Sequence, residues 1–294
     1  MTKKKFLLIM PILLVTCMLT MLFCSCGKTE KDPYINVEGM TVVYLKNDQD
    51  VVPAGAVVNY YENKETKNPT KIALTRSMIT GLDTLTEGSR TMTITYKDLT
   101  CKLDYIVYSK AQLKTMVENA ITKTLSIDKF AFRMAQGENI ADYIVTKEVM
   151  YRVAQGEGPI DAGEFWYEKH VDDNGYDLYS KEPTTGEEYK YEVRHVTSNS
   201  FVQEKIGWIF PFATIAEADI CSVKKVENGI EISCLQVDEE YGESYSITFV
   251  VSTEGLMMSW DIEGLNYIYT YENIGDIPAR PTNVEWIDPS QPQV

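Results

Sequence analysis

Apolar and polar side chains alternate at every second position in three separated stretches of this chain, and that period demands strands with one dry face and one wet face. TMTITY (91–96) sets Met92, Ile94 and Tyr96 on one side and threonines on the other. EYKYEVRHV (188–196) does the same with Tyr189, Tyr191 and Val193, and NYIYTY (266–271) with Tyr267, Tyr269 and Tyr271. Turn signals at Asp173-Asn174-Gly175, Thr184-Thr185-Gly186, Asn228-Gly229 and Glu254-Gly255 separate the later strands at hairpin spacing. The expected class is mainly β.

The first part of the chain has a finer grain than the rest. From Ile35 to Tyr108 it reads as short β-branched and aromatic runs (TVVYL, AVVNYY, KIAL, TMTITY, KLDYIVY) broken by Asn, Asp, Gly and Pro clusters. Such spacing predicts a small β-sandwich over 35–108. The period then changes. Leu113, Met116, Val117, Ala120, Ile121 and Leu125 recur at three and four, and Ser109 with Gln112 forms a capping box, so a helix is expected from Ala111. After it the alternation returns. The second domain, 109–285, is therefore expected to be one N-terminal helix followed by a long antiparallel meander, with 286–294 (WIDPSQPQV) as an irregular tail.

Ahead of both domains lies a different kind of segment. Lys3, Lys4 and Lys5 precede an apolar run from Phe6 to Phe23 that contains Pro11, and LFCSCG closes it with small residues before Cys26. This is the layout of a secretory leader over 1–25. The pattern resembles a bacterial lipoprotein signal with Ser25 before the cut, Phe23 departing from the usual Leu, and the resemblance implies lipidation of Cys26. An uncleaved transmembrane anchor is the alternative, since the run is about long enough to span a bilayer. Residues 26–34 would then be the lipidated cysteine and a tether reaching about 25 Å at most. The formal net charge is −15, and loss of the three leader lysines takes it to −18. So acidic a surface repels phosphate backbones and anionic headgroups, which argues against nucleic-acid binding and leaves the acyl chains as the means of attachment to the cell membrane. An extracytoplasmic, membrane-anchored protein is expected.

Two further resemblances concern the domains. ITGLDTLTEGSRTMTITYKDLTCKLDYIVY resembles the closing half of bacterial immunoglobulin-like domains of the third group. Ile79 to Asp83 match that family's T-G-hydrophobic-D element, Thr86 and Gly88 its T-x-G turn, and Thr91 to Tyr96 its threonine-rich strand. The resemblance implies a seven-stranded sandwich serving as a spacer or adhesive module. Over about 110–285, the helix feeding FAFRM, the WYEKH strand and VSTEGLMMSWDIEG followed by YIYTYENIG are similar to the lipoprotein-carrier half-barrels. That similarity implies a curved antiparallel sheet wrapped around apolar helices.

Chemistry-bearing residues are sparse. His170 and His195 are the only histidines; they would make a metal or catalytic pair if their strands were adjacent with Glu168 or Asp172 nearby, and are otherwise two solvent-facing strand residues, the expected case. The Asp172-Asp173-Asn174-Gly175 run lacks the rest of a calcium loop and reads as a turn. No nucleophile elbow or phosphate loop occurs, so neither an enzyme nor a cofactor is expected. Cys221 and Cys234 flank the Asn228-Gly229 turn: a four-residue loop sets them opposite one another and permits a disulfide, a two-residue loop sets them diagonally, and reduced core-face thiols are the other outcome. IGWIFPFATIA (206–216) offers Trp208, Phe210 and Phe212 without a charge among them. They would line a ligand cavity or fill the core. The functional expectation is a lipid-anchored binding protein for a hydrophobic or envelope-derived ligand. The alternative is a surface adhesion or protein-interaction lipoprotein with a filled interior.

Overall fold

The computed structural model describes residues 32–49, 51–155, 163–181, 191–197, 200–210, 215–237, 243–282 and 284–286. The leader, Cys26, Tyr189, the Thr184–Gly186 turn, Phe212 and the tail beyond Trp286 lie outside the described residues. The protein is mainly β and divides into two compact units between Val107 and Tyr108. Among the described residues no helix is long and apolar enough to cross a membrane.

Among the described residues the first unit has seven strands: β1 (Tyr34–Glu38), β2 (Val43–Leu45), β3 (Val57–Tyr61), β4 (Thr70–Ala73), β5 (Ile79–Thr80), β6 (Gly88–Tyr96) and β7 (Leu99–Tyr108). They form two sheets, β1-β3-β4 and β2-β7-β6-β5, around one core. The alternation of TMTITY is realised directly. Met92 and Ile94 are fully buried, while on the wet face Thr91 donates its hydroxyl to Asp104 Oδ1 at 2.6 Å from the cross-strand position. Cys101 is buried and in no disulfide, as a strand residue facing the core should be.

The second unit opens with α1 (Lys110–Leu125), whose capping box forms as its sequence demands: Gln112 N–H donates to Ser109 Oγ and Ser109 N–H to Gln112 Oε1. Leu113, Val117, Ala120, Ile121 and Thr124 make its buried stripe. A first meander follows, β8 (Lys129–Gln136), β9 (Asn139–Thr146), β10 (Val149–Gln155), β11 (Gly163–Lys169), β12 (Tyr176–Lys181) and β13 (Tyr191–Val196). Next comes a second helix, α2 (Phe201–Ile209), and then a second meander, β14 (Ile220–Val226), β15 (Gly229–Val237), β16 (Ser244–Ser252), β17 (Met257–Ile262) and β18 (Leu265–Thr270). The chain closes with β19 (Val284–Trp286).

All twelve strands join one sheet, ordered β14-β15-β16-β17-β18-β8-β9-β10-β11-β12-β13-β19. It is antiparallel except at its last pair, where β19 runs parallel to β13. The meanders fuse because β18 pairs with β8, and the register lines up Phe249, Trp260, Tyr267, Met134 and Ala141 on one face across five strands. All five are buried. Thr124 of α1 binds into this half by accepting from Met257 N–H at 3.2 Å. On the opposite face Tyr151, Trp166, Tyr179 and Val193 form a smaller cluster. It is covered by the crossing segment between β18 and β19: Ile277 packs on it, Trp166 Nε1 donates to Pro278 O at 3.1 Å, and Arg280 donates to the Tyr179 hydroxyl at 2.6 Å.

Two expectations are corrected, and one open alternative is decided. Among the described residues the second unit has two α-helices rather than one, and two meanders joined out of sequence order rather than one. Trp286, expected in an irregular tail, ends a strand, because the crossing segment delivers Val284–Trp286 to the free edge of β13. The Cys221–Cys234 disulfide is absent and both thiols are free. Pairing follows the opposed register from Val226↔Gly229 to Ser222↔Ser233, but a bulge at Cys221 then sets Ile220 opposite Cys234. Cys221 is left exposed, donating to Ser233 O, while Cys234 is buried, which pushes its thiol up to about 12.

Candidate functional site

The apolar segment from Ile206 is the last turn of a helix. Ser200 caps α2 with the same box that opens α1, Gln203 N–H donating to Ser200 Oγ at 3.2 Å and Ser200 N–H to Gln203 Oε1 at 3.1 Å. The helix stops at Ile209 because the residue before a proline is driven out of the helical region, and Phe210 leaves with φ −140° and ψ 67°. Phe210 is buried and stacks on Tyr269, centroids 5.5 Å apart. Tyr269 in turn donates to Ile209 O at 2.7 Å and accepts from Trp260 Nε1 at 2.9 Å. Burial raises the Tyr269 hydroxyl well above its ordinary pKa. Trp208 donates to Glu204 at 2.9 Å, lies near Tyr143 and Tyr167, and has the Arg152 guanidinium 5.1 Å from its ring. Both aromatics are used in docking α2 onto the sheet. Two hollows of the second unit, about 420 and 490 Å³, are lined by other residues.

The histidines are brought together. β11 ends at Lys169, and the six-residue loop His170–Gly175 is closed by His170 N–H donating to Gly175 O at 3.1 Å. Asp173 forms the turn within it by accepting Gly175 N–H at 2.7 Å. Gly175 is required there: a Cβ would sit 2.4 Å from Val196 O of β13, the strand that carries His195. Strand register sets His195 opposite Asp177, and its Nδ1 lies 2.8 Å from Asp177 Oδ1. The other nitrogen, Nε2, is 3.0 Å from Asp173 Oδ2. His170 comes from the loop side, its ring centroid 4.3 Å from that of His195 and its Nδ1 3.5 Å from Asp173 Oδ1. That Nδ1 is closed off from solvent and makes no hydrogen bond.

Electrostatics ties the group. The hydrogen bond to Asp177 is the main cause of a raised His195 pKa, and the Gly175 amide is the main cause of a lowered Asp173 pKa, with His195 adding to it. The loop also receives the start of α2, since Phe201 N–H donates to Asn174 O at 2.9 Å. His170, Asp173 and His195 thus present three ligand-capable atoms, all within 4.8 Å of one another.

Two solvent-facing histidines were the expectation; both are half-buried and share Asp173. Of the acids expected nearby, Glu168 pairs instead with Arg280 at 3.1 Å, and Asp173 and Asp177 take the place foreseen for Asp172. The missed helix carried a readable signal, Ser200-x-x-Gln203. Comparison with protein-family models, with curated proteins and with solved structures finds no match.

Proposed function

We propose that this is a lipid-anchored, extracytoplasmic interaction protein: an immunoglobulin-like spacer held near the bilayer by Cys26, carrying a large-sheet head whose partners are met at its surface rather than enclosed within it. The observation that carries this reading is the engagement of Phe210 and Trp208. Phe210 is stacked on Tyr269 and Trp208 is tied to Glu204 against the sheet, so the side chains best suited to an acyl chain are already used in packing. The leader and the strongly acidic mature chain support an anchor made of acyl chains rather than of basic protein surface.

Two measurements test it together. Metabolic labelling with palmitate should mark the wild-type chain and not Cys26→Ser, which should also leave the membrane fraction; unchanged labelling and fractionation of the variant would remove the anchor. Native mass spectrometry of the protein after incubation with envelope extract should give the apo mass. A second reading, carriage of an apolar ligand, retains one observation: the hollow of about 420 Å³ lined in part by Ile144, Ile268 and Ile274 beneath the crossing segment. A bound lipid that disappears in Ile268→Glu would transfer the function to that hollow.

A further inference from the structure

We propose that His170, Asp173 and His195 form a binding site for a divalent transition-metal ion of the zinc class, with Asp177 as the carboxylate that orients His195. The inference is independent of whether the chain is anchored or carries a ligand.

Spacing is the first argument. Zinc bonds of about 2.0–2.1 Å in a tetrahedral arrangement put neighbouring ligand atoms about 3.4 Å apart. His195 Nε2 and Asp173 Oδ2 are 3.0 Å apart, and His170 Nδ1 and Asp173 Oδ1 are 3.5 Å apart. These contacts use different oxygens of Asp173, and one ligand atom from each residue lies within 4.8 Å of the others, so the side chains must draw in by up to about 1 Å to share one ion.

Orientation is the second. A histidine that ligates a metal through one nitrogen characteristically donates its other N–H to a carboxylate or carbonyl, which fixes both the tautomer and the ring plane. Asp177 Oδ1 stands 2.8 Å from His195 Nδ1, on the strand position opposite it, and so aims Nε2, whose proton an ion would displace, at Asp173. The third argument is the enclosed, unbonded Nδ1 of His170, a polar atom whose place in the cluster a metal bond explains.

The donor set selects the ion. Two imidazoles and one carboxylate suit zinc and its neighbours, whereas calcium and magnesium require oxygen-rich shells. Three protein ligands leave a fourth position for water or a partner's side chain. The ligands come from the β11–β12 loop and from β13, so the ion would fasten the loop to the strand more firmly than the His195–Asp173 pair does alone.

The test is a titration of the chain, purified without a histidine tag, with Co²⁺ followed by its visible absorption. One equivalent should produce the intense band of a four-coordinate ion; Zn²⁺ should displace it and excess Mg²⁺ or Ca²⁺ should not. His170→Ala and His195→Ala should each abolish the band while leaving the circular dichroism spectrum unchanged, and His195→Gln should do the same if ligation rather than folding is lost. Asp173→Asn keeps an oxygen for the Gly175 amide and should still lose the ion. Asp177→Asn should weaken binding about 10- to 100-fold, and Asp172→Asn should have no effect. Absence of a stoichiometric band in the wild type, or its survival in both histidine variants, would overturn the proposal.

Discussion

Two aspartates, one in each unit, build the same local turn and end in opposite roles. Asp83 accepts the N–H of Leu85 at 2.8 Å, and Asp173 accepts the N–H of Gly175 at 2.7 Å. Each has its second oxygen free to turn outward. For Asp83 that oxygen meets Arg90 at 3.3 Å, and the turn is further held by the Tyr105 hydroxyl, which donates to Gly81 O and accepts from Asp83 N–H. For Asp173 it meets His195, with His170 alongside. A guanidinium has donors and no lone pair, so the first arrangement can only be a knot; imidazoles have lone pairs, so the second can be a ligand set. What decides the role is the chemistry of the side chain that arrives from another strand.

If that contrast is right, the two turns should fail differently. The largest effect belongs to Gly175→Ala. The obstacle is a backbone oxygen 2.4 Å away, so β13 must move, and the cost should lie near the upper end of overpacking, about 3 kcal/mol. His195 would move with the strand, so cobalt binding should go too. At Gly81, where φ is +76° and the Thr91 carbonyl would lie 3.2 Å from a Cβ, alanine should cost about 1–2 kcal/mol and leave cobalt binding intact. Urea denaturation alongside the cobalt titration reads both.

Next in size is Tyr105→Phe, which takes from the turn the donor and the acceptor supplied by a buried ring and should destabilise the first unit by about 1–3 kcal/mol. His195→Ala in metal-free protein breaks partly exposed ion pairs and should cost no more than about 1 kcal/mol. Equal losses would dissolve the distinction between knot and ligand set.

The knot was far more legible in the sequence than the ligand set. Ile79 to Asp83 and Tyr105 fall within one run of about thirty residues, and local pairing of β5, β6 and β7 places them. The α1 stripe and its Ser109–Gln112 box are likewise local. His170 and His195 meet only through two successive strand pairings, β11 with β12 and β12 with β13, and alternation gives a residue its face without giving its partner. The α2 helix is hidden for another reason: at nine residues, ending just ahead of Pro211, it is too short for an apolar stripe to stand out, although Ser200 and Gln203 mark a helix start. The Cys221 bulge had no sequence signal at all. Turn chemistry set the register as far as Ser222↔Ser233, and one extra residue then removed the disulfide.

The smallest difference lies on the acid side and concerns Asp83 alone. Its carboxyl is held below the usual carboxylate range, first by the Leu85 amide, then by the Thr86 hydroxyl and more weakly by Arg90, whose charge does not change with pH. A folded pKa lower than the unfolded one gives stability that is fully present above the unfolded value of about 4 and fades as pH falls through the folded value. The first unit should therefore weaken gradually below about pH 4, and Asp83→Asn, which retains an oxygen for Leu85 N–H, should be less stable at neutral pH yet show a flatter acid limb. Denaturation midpoints of both proteins taken in steps from neutrality to about pH 2 decide the matter. Parallel acid limbs would mean that the Asp83 charge is incidental and that the uncharged hydrogen bonds of Leu85 and Tyr105 hold the knot.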